Sequence, residues 1–260
     1  MMDQYCNESA HPDFRLYITA EPAGDPAVAA VLPGIVQMCL KATNEPPTGI
    51  KANMTRAITL FTTDTFESCQ NKTNEFKSML FTLVFFHACL LERRKFGSIG
   101  WNISYNFTNG DLIICKDVLF NYLEANPKIP FEDLRYMFTD IFYGGHIGDN
   151  LDRRFIKYFA QDLFNEALFE DGKMLCPEFQ APGALTYNEY KEYILTSVPA
   201  DNPKMFGLHP NAEITYLTTQ SNNLFNNLML LQPSGSIGAG ADAGKSKEEI
   251  VASRVETLIS

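Results

Sequence analysis

The chain has 260 residues, 45% of them hydrophobic and 20% charged, a composition typical of folded globular proteins rather than disordered ones. Acidic residues outnumber basic ones by 31 to 21, the formal net charge is -10, and Lys and Arg form no stripe interleaved with aromatic residues. These features argue against a surface that binds nucleic acid.

Neither export nor membrane insertion is predicted. The first residues contain no basic segment followed by an apolar one, so we expect no secretory signal. The longest apolar run, residues 79–91, is well short of the roughly 20 residues that span a bilayer. The cysteines are widely spread and form no C-x-x-C pair, which favours reduced, mostly buried thiols. They are Cys6, Cys39, Cys69, Cys89, Cys115 and Cys176.

Residues 1–49 are predicted to hold one strand and a rigid connector. Residues 14–20 (FRLYITA) alternate and are rich in β-branched and aromatic residues, which predicts a strand. A strand needs partners, so we expect them upstream of Met1 or in another chain. Residues 43–50 (TNEPPTGI) contain two consecutive prolines, which forbid a helix and predict an extended connector. The residues predicted to have a structural role in this connector are Asn44, Glu45, Pro46, Pro47 and Gly49.

From Lys51 the pattern is helical, and residues 76–102 are its most apolar part. We expect helices over residues 52–66 and 74–94, and the second is apolar nearly all round, which predicts a buried helix. Further helices are expected from Asp111 to about residue 123, from near Phe131, and from Asp149 to about residue 169. The sequence therefore predicts a compact helical bundle.

Beyond residue 172 prolines become frequent and a second unit is predicted to begin. It would contain a short helix at residues 187–195, a longer one at 212–231 and an amphipathic one at 247–259. The linker before the last helix meets a permissive phosphate-loop pattern at Gly244, Lys245 and Ser246. A phosphate loop needs a strand before it, and here a polar helix precedes it, so we interpret this match as a decoy within a flexible linker.

No catalytic or metal site is predicted. The four histidines are far apart in sequence, so a zinc site has no support, and His87 is interpreted as a core residue. Charges near two helix ends are expected to form structural ion pairs, and Trp101, Gly144 and Gly145 are expected to shape turns. The charged residues are Glu92, Arg93, Arg94, Asp152, Arg153 and Arg154.

Four long motifs, in order along the chain, resemble dynein heavy chains, and the last is closer to axonemal than to cytoplasmic ones. They are TNEPPTGIKANM (residues 43–54), FFHACLLERRKFGSIGWNISYNF (85–107), PFEDLRYMFTDIFYGGHIGDNLDRR (130–154) and NPKMFGLHPNAEITY (202–216).

The resemblance implies a mainly α fold with three parts. Residues 1–49 would end the α/β large subdomain of the sixth AAA+ module, and residues 50–172 would form its helical AAA+ lid. Residues 173–260 would start a mostly helical C-terminal domain that is cut short. In this family the sixth module does not work as an ATPase, so no cofactor is expected here, although the parent motor uses ATP and magnesium.

The resemblance further implies a non-catalytic, force-transmitting part of a microtubule motor ring. Its partners would be the rest of the ring, especially the first AAA+ module, with the microtubule and the intermediate and light chains reached only through the parent complex. The location would be cytoplasmic and cytoskeletal, in the axoneme of a cilium or flagellum. Two alternatives stay open, a nucleotide hydrolase that uses Lys245 and Ser246 and a standalone helical scaffold derived from a dynein.

Overall fold

The computed structural model describes residues 11, 13–20, 37, 39–42, 46–170 and 172–231. The chain divides into one unit at residues 1–46 and a second at residues 47–260. In the first unit, the strand predicted for residues 14–20 is wrong, because these residues have no regular secondary structure. Their large apolar side chains are exposed, with Tyr17 at 87%, and strand backbone without a neighbour lacks the hydrogen bonds that would hold it.

The described part of the second unit is mostly helical. Its elements are, in order, α1 (Ile50–Ile58), α2 (Thr63–Glu67), α3 (Thr73–Glu92), a 3-10 helix (Arg93–Ile99), α4 (Asn109–Ala125), α5 (Phe131–Tyr136) with a π-helical continuation (Met137–Phe142), a 3-10 turn (Gly144–His146), α6 (Asn150–Leu163), a 3-10 helix (Glu166–Phe169), β1 (Met174–Cys176), β2 (Phe179–Gln180), α7 (Tyr187–Ser197), a 3-10 helix (Pro203–Phe206) and α8 (Ala212–Leu231). The two short strands pair antiparallel.

Helix α3 is the centre of this unit, as its apolar sequence predicts. It packs against α1, α2, α4 and α6, and its side chains from Met79 to Leu90 are buried on every side. Leu83, for example, has no exposed surface. A helix that is apolar all round can persist in water only inside such a shell.

Aromatic contacts extend the same core past residue 172. Phe81 of α3 stacks on Tyr190 of α7 with ring centroids 5.0 Å apart, and Phe85 lies 5.6 Å from Phe179 of β2. Aromatic pairs at these distances stabilise beyond the area that they bury. The boundary near residue 172 stays a prediction, but no gap in the hydrophobic core marks it.

Local side-chain caps mark the starts of α6 and α4. Asp149 accepts hydrogen bonds from the backbone N–H groups of Leu151 (2.8 Å) and Asp152 (3.1 Å), which confirms the predicted cap of α6. Asp111 was expected to cap α4, but Thr108 is the cap. Asp111 is the third helical residue, and its carboxylate accepts the Thr108 N–H at 2.8 Å in a capping box.

Two helices predicted as continuous are interrupted. The helix expected over residues 52–66 ends at Ile58. A separate helix, α2, starts after Thr62, whose side chain forms a capping box with Thr65. The one expected to reach residue 169 ends at Leu163 and is followed by a 3-10 helix. The helix predicted at residues 212–231 is confirmed, whereas that at 247–259 lies outside the described residues.

Five of the six cysteines are described, and all five are free thiols, which confirms that prediction for them. Cys39 is exposed and the other four are buried, while Cys6 lies outside the described residues. Burial raises the pKa of Cys176 to about 12, so its thiol stays protonated. Within the described part of the chain, no helix combines the length and the apolar character that crossing a bilayer requires.

Candidate functional site

The C-terminus of α3 carries a partly buried polar cluster, which we call the junction network. Glu92 is at its centre with a side chain only 6% exposed. Its Oε1 accepts hydrogen bonds from the backbone N–H of Gly49 at 2.9 Å and from Nδ2 of Asn53 at 2.5 Å. One carboxylate oxygen thereby ties the end of the connector and the first turn of α1 to the end of α3.

Lys95 and Asp201 complete the junction network. The Lys95 ammonium lies 2.9 Å from Oε2 of Glu92 and 2.5 Å from Oδ2 of Asp201, while Oδ1 of Asp201 accepts the N–H of Ile50 at 3.1 Å. Burial disfavours the Lys95 charge, but the two carboxylates outweigh burial and raise its pKa above the ordinary value. The two carboxylates that flank the Lys95 ammonium therefore also bind the start of α1, so that three segments distant in sequence are joined.

The described connector residues form no helix, as the prolines predict, while the predicted extended form stays a prediction. Residues 46–48 are outside any helix or strand, and the carbonyl of Pro47 accepts a hydrogen bond from Asn53 Nδ2 at 3.1 Å. Gly49 has φ 94° and ψ 148°, a conformation that residues with a side chain rarely adopt. The connector thus turns into α1 at a residue that must be glycine. Asn44 and Glu45 lie outside the described residues.

Beside the junction network, Arg93 is buried at the start of the 3-10 helix. Its Nε donates to the Gly100 carbonyl at 3.1 Å, another nitrogen donates to the Phe206 carbonyl, and the guanidinium lies 3.5 Å from the centroid of the Phe155 ring. Burial lowers the Arg93 pKa to about 10, which leaves the group charged at neutral pH. A buried cation here joins three segments through two carbonyls and a ring face.

Trp101 is 3% exposed, and its indole N–H donates to the Leu90 carbonyl at 3.1 Å. Its ring makes an edge-to-face contact with Phe155 of α6, with centroids 5.6 Å apart. The indole satisfies a carbonyl near the end of α3, where intrahelical donors run out. Trp101 therefore fixes the segment after α3 against α6.

The expected ion pairs between Glu92–Arg94 and Asp152–Arg154 are wrong. Among the described residues, no ion pair within 4.0 Å joins the two groups. Instead Asp152, which is buried, accepts the backbone N–H of Asn102 at 3.0 Å and the Tyr105 hydroxyl at 2.9 Å. Its carboxylate satisfies donors of the loop rather than a cation.

The three remaining predicted arginines are exposed. Arg153 donates to the Ile147 carbonyl at 2.7 Å, whereas the side chains of Arg94 and Arg154 have no hydrogen bond or ion pair with any described residue. The two glycines differ as well. A Cβ on Gly144 would lie 1.9 Å from the Thr139 carbonyl oxygen, while one on Gly145 would meet nothing within 4 Å. Only Gly144 is required by close packing.

Sequence reasoning missed three members of the junction network. Asn53, Lys95 and Asp201 were not among the predicted site residues, and Asp201 is 151 positions from Ile50, whose backbone N–H donates to it. No local sequence pattern indicates a contact between residues so far apart in the chain. The Glu92–Lys95 pair did carry a signal, because its i,i+3 spacing suits an ion pair on a helical turn.

His87 is a core residue, as interpreted, but only one of its nitrogens is satisfied. Its Nδ1 lies 2.9 Å from the Tyr143 hydroxyl, and Nε2 has no hydrogen-bond partner among the residues that the structure describes. Within the described ranges, no three His, Cys, Asp or Glu side chains are placed to hold a metal ion. The loop with Gly244, Lys245 and Ser246 lies outside the described residues.

Comparison with known proteins identifies the family. The family model described as "Dynein heavy chain AAA lid domain" matches residues 76–212, which run from the first turn of α3 to the first residue of α8. This chain belongs to the dynein heavy chain AAA lid family. The resemblance seen in the sequence motifs and the mainly helical lid fold are therefore confirmed.

Individual dynein relatives match nearly the whole chain. Dynein axonemal heavy chain 17 of Homo sapiens is 46% identical over 98% of this chain, and the ciliary dynein beta chain of Tripneustes gratilla is 44% identical over 99%. The flagellar outer arm dynein beta chain of Chlamydomonas reinhardtii is 40% identical over 95%. The chain spans about 6% of the length of each of these relatives.

Proposed function

We propose that this chain is a structural, non-catalytic part of a dynein motor ring that transmits nucleotide-driven movement around the ring. The whole motor would hydrolyse ATP and move along microtubules in an axoneme, as the axonemal, ciliary and flagellar names of the relatives suggest. The lid would contribute rigidity and defined contacts to its neighbours in the ring, including the first AAA+ module. ATP and magnesium would act elsewhere in that motor.

The junction network is the observation that carries this proposal. It binds the end of the connector, through Gly49 and Asn53, to the most deeply buried helix of the lid. A displacement of the connector would have to move α3 with it or break hydrogen bonds to a nearly buried carboxylate. Such a joint passes on a movement instead of absorbing it.

The ion pairs of Lys95 strengthen this joint. The ammonium is 19% exposed and contacts two carboxylates, one from α3 and one from the segment after α7. Breaking a partly buried pair leaves a carboxylate without compensation, which is costly compared with a surface pair. We expect the joint to hold under load because every member has a partner that is fixed by another element.

The test is Lys95→Met in a full-length axonemal heavy chain that carries this segment. Met keeps the apolar stem of the side chain and removes its charge. We expect the rate of ATP hydrolysis to be retained and the velocity of microtubule gliding to fall, so that the ratio of gliding velocity to hydrolysis rate decreases. The matched control is Lys157→Met, which removes a lysine 47% exposed and paired with Asp140 at 2.7 Å. Equal coupling in both variants and the unmodified motor would contradict the proposal.

The two alternatives have separate tests. If the chain hydrolysed nucleotide through Lys245 and Ser246, the isolated chain would bind a fluorescent ATP analogue and Lys245→Ala would abolish binding; we expect no binding. If it were a standalone scaffold, the reading frame would not continue as a dynein on either side of the 260 residues. A continuous dynein reading frame would support the ring assignment.

A further inference from the structure

The turn that follows α3 contains a small cleft that the junction network does not use. The cleft has a volume of about 180 Å³. It is lined by Arg94, Gly97, Ser98, Trp101, Asn102 and Ser104. Small-molecule sites in proteins usually measure about 300 Å³ or more, so this cleft is of a size for a single side chain.

Arg94 is the charged group of the cleft. Its guanidinium is exposed and forms no hydrogen bond or ion pair with any described residue, although its neighbours Arg93 and Lys95 are both engaged. The chain as a whole carries a formal charge of -10. Arg94 is therefore a cation that has no partner among the described residues and lines a cleft together with two serines.

The walls of the cleft are held in place by contacts already described. Trp101 is fixed by its bond to the Leu90 carbonyl, and the Asn102 backbone N–H donates to the buried Asp152. Nδ2 of Asn102 donates to Asp149 at 3.1 Å, and that carboxylate also caps α6. A site whose walls are fixed before binding loses little conformational entropy when a ligand enters.

We propose that this cleft binds a carboxylate side chain, Glu or Asp, from an acidic segment of a partner protein. A planar carboxylate accepts two parallel hydrogen bonds from one guanidinium, with the serine hydroxyls as further donors. A phosphorylated residue fits less well, because phosphate sites in proteins usually use clusters of arginines and the cleft has one.

Two exposed aliphatic residues neighbour the lining residues of the cleft in the sequence. Ile99 and Ile103 each follow a lining residue in sequence, and they are 44% and 54% exposed. Aliphatic residues on either side of the partner's carboxylate would bury this surface, while the carboxylate pairs with Arg94. The expected motif is thus an acidic residue between two apolar ones.

The chain has a built-in reporter for this cleft, because Trp101 is its single tryptophan. The experiment titrates the 260-residue chain with the capped peptide Leu-Glu-Leu up to millimolar concentration and follows tryptophan fluorescence. We expect a saturable change, and binding at least about tenfold weaker for the isosteric peptide Leu-Gln-Leu, which lacks the carboxylate.

Two arginine variants separate the cleft from general charge. Arg94→Gln is expected to weaken binding of Leu-Glu-Leu at least about tenfold, whereas Arg154→Gln, which removes an exposed arginine that does not line the cleft, should leave it unchanged. An unchanged melting temperature in Arg94→Gln shows that the fold is kept.

Several results would overturn the proposal. These are no response to Leu-Glu-Leu, equal binding of Leu-Gln-Leu, and equal weakening by the two arginine variants. Tighter binding of Leu-phosphoserine-Leu would replace the carboxylate site by a phosphopeptide site. If the peptide does not bind, the motor-ring proposal is unaffected, because that proposal rests on Lys95 and is tested by the velocity of microtubule gliding.

Discussion

Helices α3 and α8 are both 20 residues long, yet they occupy opposite environments. The side chains of α3 from Met79 to Leu90 are buried on all faces, whereas every described side chain of α8 from residue 217 to 229 is exposed. Large apolar residues are among the exposed ones, including Leu217 at 54% and Phe225 at 61%. The periodicity of apolar residues therefore predicts that a helix forms. Whether that helix is buried in a core depends on the elements that pack around it.

Contacts explain where α8 leaves the core. Ala212 is buried and the Tyr216 ring packs 5.6 Å from Phe96, but beyond that turn the helix has no cover among the described residues. The family model also ends at residue 212. An apolar helix face that meets water over three turns contributes little to the free energy of unfolding, since burial is what stabilises.

The most sensitive test of the contrast between α3 and α8 is to make the same substitution, Leu to Ala, in each helix. Leu83→Ala in α3 should lower the free energy of unfolding by about 3 kcal/mol, because it leaves a cavity in a closed core. Leu224→Ala in α8, at a residue 59% exposed, should change it by less than about 0.5 kcal/mol. Urea unfolding of both variants, followed by circular dichroism, measures the difference.

Similar losses from the two substitutions would contradict the comparison, because they would place Leu224 in a core in solution. A third variant, Leu228→Ala, serves as a replicate on α8, where the side chain is 48% exposed. We expect it to behave like Leu224→Ala.

A second test uses the one imidazole inside α3. Burial lowers the pKa of His87 from its ordinary 6.5 to about 4, so His87 is neutral in the fold and binds a proton readily only when the chain unfolds. Between these two values the unfolded chain binds more protons, so the free energy of unfolding falls as the pH drops below about 6.5. At pH 5 the loss from His87 alone is about 2 kcal/mol.

His87→Gln isolates that contribution. Gln does not titrate and can still accept a hydrogen bond from the Tyr143 hydroxyl, which lies 2.9 Å from Nδ1. Urea unfolding at pH 7 and pH 5 should show a decline in the unmodified chain that is about 2 kcal/mol larger than in the variant. An equal decline in both would mean that His87 is accessible to protons in the folded chain.

The sequence predicts α3 well because several independent signals agree there. Its apolar residues recur on all faces, and cations and glycines follow its end, so the predicted limits of 74 and 94 are close to the observed Thr73 and Glu92. The interruption between α1 and α2 was not predicted, because it depends on the capping box of Thr62 and Thr65 competing with helix continuation. Short threonine caps are weak signals within a helical pattern.

Long-range polar partners are the part that sequence could not supply. Asp152 and Arg93 were both recognised as important charges, but the expected pairing failed because Asp152 meets the Asn102 amide and Arg93 meets two carbonyls. Buried charges need donors or acceptors of any kind, and backbone groups satisfy them as well as opposite charges do. Charge pattern alone cannot distinguish these solutions.

The smallest expected effect concerns the anchor of α8. Tyr216→Ala removes the ring that packs on Phe96 and the hydroxyl that accepts a hydrogen bond from Gln220 at 2.5 Å. We expect the free energy of global unfolding to fall by less than about 1 kcal/mol, because the rest of α8 is exposed. Amide hydrogen exchange in residues 217–229 should accelerate about fivefold while exchange in α3 stays unchanged, because α8 can open without the core.

Tyr158→Ala is the matched control, since it removes a tyrosine ring that is 65% exposed on α6. It should leave exchange in residues 217–229 unaltered. If Tyr216→Ala instead accelerates exchange in α3 and α8 equally, the two helices open as one cooperative unit, and the contrast between them is one of exposure and not of stability. If neither region changes, Tyr216 is not the anchor, and the buried Ala212 together with the turn before it must hold α8 in place.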